Sequence, residues 1–194
     1  SSEIVNAYMR GSCSKLNNRY LETEAGEPFI RIGYAEQQFI LAEAVLRKWI
    51  TGEGAESYYR SGIRAAMEFT AANTPVKYRH GVKIDDAYIA SYLEGPQVKF
   101  GASAAENLNR IYKQKYMLYF LQHEWDAFFE CRRTGVPELP VNPSTNMNTD
   151  PSKMPVRWMY PQTEYDRNNA NVMEAIARQY DGLDNENCIM WLLK

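Results

Sequence analysis

Residue types able to do chemistry are few in this chain. His80 and His123 are its two histidines, and His123-Glu124 lacks the second histidine that completes a zinc-protease pair. No Glu-x-x-His pair, GxSxG elbow, phosphate-binding loop or GxGxxG turn occurs. Asp85-Asp86 and the pair Glu164 and Asp166 have the right side chains for acid–base work, but helix capping explains them more simply. Asp181, Asp184, Asn185 and Glu186 offer oxygen ligands for calcium without EF-hand spacing. Cys13, Cys131 and Cys188 form neither a CxxC pair nor a metal-ligand spacing, and their odd number argues against a disulfide framework. We therefore expect no enzymatic activity, no cofactor and no metal site.

Charged and aromatic side chains point to scaffolding and binding. Lys115, Asp126, Glu130 and Arg133 fall in nearly one direction along an expected long helix. Lys115 stands beside apolar Leu108 and Tyr119, so it should be partly buried and needs an acceptor. The four residues are expected to form an ion-pair seam that fixes the following loop. Asn142, Ser144, Asn146 and Asn148 share an irregular segment with Trp158 and Tyr160. Aromatic faces stack on sugar C–H surfaces while amides bond to hydroxyls, although Asn and Ser are also ordinary turn residues. Lys and Arg total 22 against 24 Asp and Glu, interspersed, which leaves no basic face for a nucleic-acid partner.

The elements that must position these residues read as helices. Residues 1–31 form an irregular lead-in, with room for a short helix. Tyr34 to Trp49 is almost free of breakers, and apolar around most of its circumference, so it should be the most buried helix. A second helix from about Ala55 to Ala72 places Tyr59, Gly62, Ile63 and Ala66 on one face, where Gly62 and Ala66 allow close approach of a neighbour. Two helices joined by a short turn form an antiparallel hairpin over 34–72 of tetratricopeptide type, with no second copy at a fixed period. Asp85 caps a short helix to about Leu93. Ser103-Ala104-Ala105-Glu106 opens a long helix over 103–133. Residues 136–162 form a long loop, a last helix runs from about Asn169 to Gln179, and the apolar tail Ile189–Leu193 should dock on the body. The fold class is all-α: a tetratricopeptide-like hairpin, a long helix and long irregular loops, in a single domain over 1–194.

Three stretches, in fixed order, carry a family resemblance. They are Tyr34-Ala35-Glu36 with Phe39 to Ala44; Gln114-Lys115 with Glu124 to Gly135; and Arg157 to Tyr165 followed by Asn168 and Asn171. Together they resemble the C-terminal portion of the SusD/RagB family of nutrient-binding outer-membrane lipoproteins of Bacteroidetes, over about residues 30–194. The resemblance implies a fold of tetratricopeptide-like hairpins and a non-enzymatic role. That role is capture of a glycan or related nutrient at the extracellular face of the outer membrane for delivery to a SusC-like TonB-dependent transporter. It also implies a lipid anchor on an N-terminal cysteine. The family's N-terminal half, with signal, anchor and further hairpins, is expected to lie outside this sequence. The matching motifs look structural, and ligands of the family are met by variable loops. The expected ligand residues are accordingly Tyr78, Arg79 and His80, then Asn146 and Asn148, while Trp158 and Tyr160 are assigned to packing. The competing reading is a helical-repeat adaptor that binds a protein rather than a small ligand. A glycan hydrolase would need opposed carboxylates about 5–10 Å apart, and nothing in the sequence places such a pair.

Overall fold

The computed structural model describes residues 2–22, 24 and 26–193. Its elements are helices, with no strand among the described residues: α1 Ser2–Met9, α2 Tyr34–Leu46, α3 Ala55–Ala72, α4 Asp86–Leu93, α5 Ala104–Leu118, α6 Asp126–Thr134, α7 Gln162–Arg167 and α8 Asn169–Tyr180. They fall into two compact units, Ser1–Ala127 and Phe128–Lys194, where the sequence reading has one domain. The lead-in over 1–31 supplies α1 and a 3-10 turn at Asn18–Tyr20, and its Ser1, Thr23 and Ala25 lie outside the described residues, as does Lys194.

In the first unit α2 and α3 form the expected hairpin. Phe39 on α2 is 1 % exposed and lies in the notch that Gly62 leaves on α3, because a Cβ at position 62 would come within 2.7 Å of the Phe39 ring. Tyr59 packs at 6.2 Å from Phe39 and 5.1 Å from Phe100, and its hydroxyl donates to the Val98 carbonyl at 2.8 Å. Desolvation drives its pKa well above the usual phenol value. α5 packs on the same pair of helices through a polar seam: Tyr112 donates to Glu43 at 2.9 Å, and Arg47 donates to Glu43 at 2.8 Å and to the Tyr112 hydroxyl at 2.7 Å. Glu43 is thus buried at an interhelical contact. The far side of α2 stays open at Tyr34 and Ile40, so this helix is covered on fewer sides than its composition suggests. Both expected caps form: Asp85 accepts from the Tyr88 N–H, and Ser103 from the Glu106 N–H.

The expected helix over 103–133 is two helices. α5 ends at Leu118, Leu121 adopts a left-handed φ of 56°, and α6 begins at Asp126. Neither Gly nor Pro marks the break, and a tertiary demand imposes it. Gln122 is buried and binds the 27–30 segment, accepting from the Ile30 N–H at 2.9 Å and donating to Glu27 at 2.7 Å and to the Pro28 carbonyl at 3.3 Å. A continuous helix would turn that amide out of reach.

In the second unit Phe128, Phe129 and Trp158 meet edge to face, with centroids 5.6 to 6.1 Å apart. Arg132 donates to the Val156 carbonyl at 2.9 Å. Arg157 is buried against Asp184, donates to the Asn185 carbonyl at 3.0 Å and lies 4.2 Å over the Tyr180 ring. Asp184 also accepts from Tyr165 at 2.6 Å and from the Tyr160 N–H at 2.9 Å. Burial alone would raise the Asp184 pKa, but the Tyr165 hydroxyl, the Arg157 guanidinium and the Tyr160 N–H outweigh it and hold the carboxyl below its ordinary range. The tail at Ile189–Leu193 does not bury as expected, and Trp191 and Leu192 remain exposed.

Candidate functional site

The candidate site grows from the end of α3. Thr70 and Thr74 turn their hydroxyls back onto the Ala66 and Thr70 carbonyls, and Asn73 ends the helix. Pro75 then starts the 3-10 turn Val76–Tyr78, consistent with its fixed φ at an element start. Arg79 Nε donates to the Thr74 carbonyl at 2.9 Å and pulls the chain back toward the helix. His80 at φ 48° and Gly81 at φ 78° complete a tight left-handed turn. His80 is exposed at its apex.

The lead-in braces this turn. Asn17 donates through Nδ2 to the Tyr78 carbonyl at 2.9 Å and accepts the Arg19 N–H at 2.9 Å. Arg19 donates to the Asn73 carbonyl at 3.1 Å and pairs with Glu27 at 2.7 Å. The result is a pocket of about 450 Å³ in which Tyr78, Arg79 and His80 line one side and Asn17, Arg19 and Tyr20 another. Tyr78 is 8 % exposed, and its buried hydroxyl has no hydrogen-bond partner among the described residues. An unpaired buried hydroxyl is costly, and this one has no surface open to the pocket, which Tyr78 lines with the rest of its side chain. Burial, and next the Glu27 carboxylate, raise the pKa of the neighbouring Tyr20. The structure therefore brings three of the five expected ligand residues together.

Asn146 and Asn148 belong to the second unit, and their amides are already used. Asn146 donates to the Pro151 and Lys153 carbonyls at 2.9 and 2.8 Å and accepts the Asn148 N–H, while Asn148 donates to the Lys153 carbonyl at 2.7 Å. They hold the 146–153 loop in shape. Of the expected seam, Lys115 is buried on α5, with its Nζ 5.9 Å from the Tyr119 ring centroid, whereas Asp126, Glu130 and Arg133 lie on α6. Asp126 bonds His123 at 2.6 Å and Arg133 donates to Glu130 at 2.8 Å. The four residues therefore lie on two helices and not on one. Asp184 and Glu186 are likewise engaged, by Arg157 and by Thr149.

Sequence reading overlooked Asn17, Arg19, Tyr20 and Lys83 as pocket residues. The first three sit in a lead-in with weak periodicity, where their polar-aromatic residue types are the one signal that sets them apart. Their role follows from contacts far along the chain, Arg19 to Asn73 at a separation of 54 and Asn17 to Tyr78 at 61.

The pocket and its helices can be set beside known proteins. A family model described as SusD-like, starch-binding and associating with the outer membrane matches residues 3–161. A SusD homologue from Bacteroides fragilis is 45% identical over 100% of this chain, with a TM-score of 0.91, and a second from the same species is 40% identical over 97%, with a TM-score of 0.83. An outer-membrane protein from Bacteroides vulgatus, described in connection with nutrient binding, is 36% identical over 97% of the chain, with a TM-score of 0.82. These matches cover 41%, 40% and 40% of the respective relatives, so the chain spans about two fifths of their length. No curated protein matches the sequence.

Proposed function

The chain belongs to the SusD-like family, and from that membership we propose that it captures a glycan or related nutrient at the outer membrane. The captured ligand passes to a SusC-like TonB-dependent transporter, in a lipid-anchored protein held on the extracellular face. Binding, not catalysis, is the activity. The observation that carries this reading is the pocket around Tyr78, Arg79 and His80, a concave site with an aromatic wall and polar groups. Asn146 and Asn148 act by shaping their loop, and Lys115, Asp126, Glu130 and Arg133 serve the scaffold rather than the ligand.

Glycan-array binding followed by titration calorimetry tests the reading. We expect the chain to bind at least one oligosaccharide and Tyr78→Ala to weaken that binding at least about tenfold, the scale of a lost buried contact. Asn146→Ala should act, if at all, through loop stability. Undiminished affinity in Tyr78→Ala would remove the pocket from consideration. Delivery has its own measurement, since copurification with a large β-barrel transporter supports it, whereas copurification with a soluble partner alone favours the adaptor reading.

A further inference from the structure

The inference concerns the class of saccharide and rests on the reading that the Tyr78 pocket is the ligand site. Arg19, Arg79, His80 and Lys83 line that pocket, and no carboxylate does. Two of the cations are already matched: Arg19 lies 2.7 Å from Glu27, and Lys83 lies 3.3 Å from Asp85. Arg79 differs. Its Nε donates to the Thr74 carbonyl at 2.9 Å, which fixes the guanidinium, and no carboxylate among the described residues lies within ion-pair distance of it. A half-buried guanidinium without a counter-ion is costly, and its terminal nitrogens form a fork that matches carboxylate or sulfate geometry.

One neighbouring residue adds to the same place. His80 lines the pocket from the exposed apex of the turn, at φ 48°, a left-handed conformation that His adopts more readily than most residues with a side chain. The chain as a whole carries a formal charge of −2, so long-range attraction does not explain affinity for an anion, and local pairing must supply it.

We propose that the pocket takes an acidic saccharide, a sugar bearing carboxylate or sulfate. Its anionic group pairs with Arg79, the lining cation without a carboxylate partner among the described residues.

Titration calorimetry of the full chain with hexagalacturonate, a heparin-derived hexasaccharide and maltohexaose tests this. The first two separate carboxylate from sulfate, and the third is the neutral control. One acidic oligomer should bind at least about tenfold tighter than maltohexaose, and Arg79→Gln should abolish that preference. Lys83→Ala, whose side chain is largely exposed and already paired with Asp85, should weaken acidic binding far less than Arg79→Gln does. Lys113→Ala, on the exposed side of α5 away from the pocket, should change nothing. If maltohexaose binds as tightly as the acidic oligomers while Tyr78→Ala still abolishes binding, the acidic class is wrong and the site stands. Acidic binding untouched by both Arg79→Gln and Lys83→Ala lies elsewhere, and both readings then fall. Failure of both acidic oligomers to bind overturns the inference, with the Tyr78→Ala result on the glycan array deciding the site separately.

Discussion

Tyr59 and Tyr78 are both buried tyrosines of the first unit, yet their hydroxyls differ in what they do. Tyr59 donates to the Val98 carbonyl, and Tyr78 donates to nothing among the described residues. Removing a satisfied buried bond costs about 1 kcal/mol, while removing an unsatisfied hydroxyl costs nothing or stabilises. Tyr59→Phe should therefore lower the urea midpoint, and Tyr78→Phe should leave it unchanged or raise it. Equal loss of stability in both variants would show that Tyr78 is simply core. Asp184 supplies a second contrast. Its folded pKa lies below the unfolded value of 3.8, so the stability it contributes is present above that value and is lost as pH falls through the folded one. Asp184→Asn should lower the melting temperature at pH 7, by about 3–5 kcal/mol of stability if Arg157 stays buried and unpaired. It should also reduce the fall in melting temperature on acidification below about pH 4.

At the scale of elements, the helices that periodicity marked are present, and the errors fall where one residue's tertiary contact outweighs local preference. Residues 103–133 contain no breaker, yet the chain turns at Leu121 so that Gln122 can hold the 27–30 segment. Gln122→Leu should cost about 2 kcal/mol, because it strands the Ile30 N–H. Increased hydrogen exchange at Ile30 and through residues 27–31 would report the released segment, and unchanged exchange there would refute the anchoring role. The hairpin was legible for the opposite reason. Gly62 and Phe39 lie on adjacent helices joined by a short turn, so local pattern and tertiary contact agree. The apolar tail misled because composition says that a segment favours burial and not whether a surface is available to it. Trp191 stays 75 % exposed.

At the scale of the whole molecule, the candidate residues are divided between two compact units, with Tyr78, Arg79 and His80 in one and Asn146 and Asn148 in the other. A ligand in the Tyr78 pocket should slow hydrogen exchange over residues 17–20 and 73–83 and leave 142–153 unchanged. Protection confined to 142–153 would transfer the site to the second unit. Taken by itself, the sequence determined the helical class, the hairpin over 34–72, the capped starts at Asp85 and Ser103 and the family, since each is written in residue type and spacing within a short stretch. It also marked 78–80 as candidates, from their place in a loop. Only the tertiary structure decided that Asn17, Arg19 and Tyr20 close a pocket around them, that the Asn146 and Asn148 amides are spent on their own loop, and that the long helix breaks. Those outcomes depend on which distant backbone groups lie within hydrogen-bonding reach, and a one-dimensional pattern carries no information about distance in space.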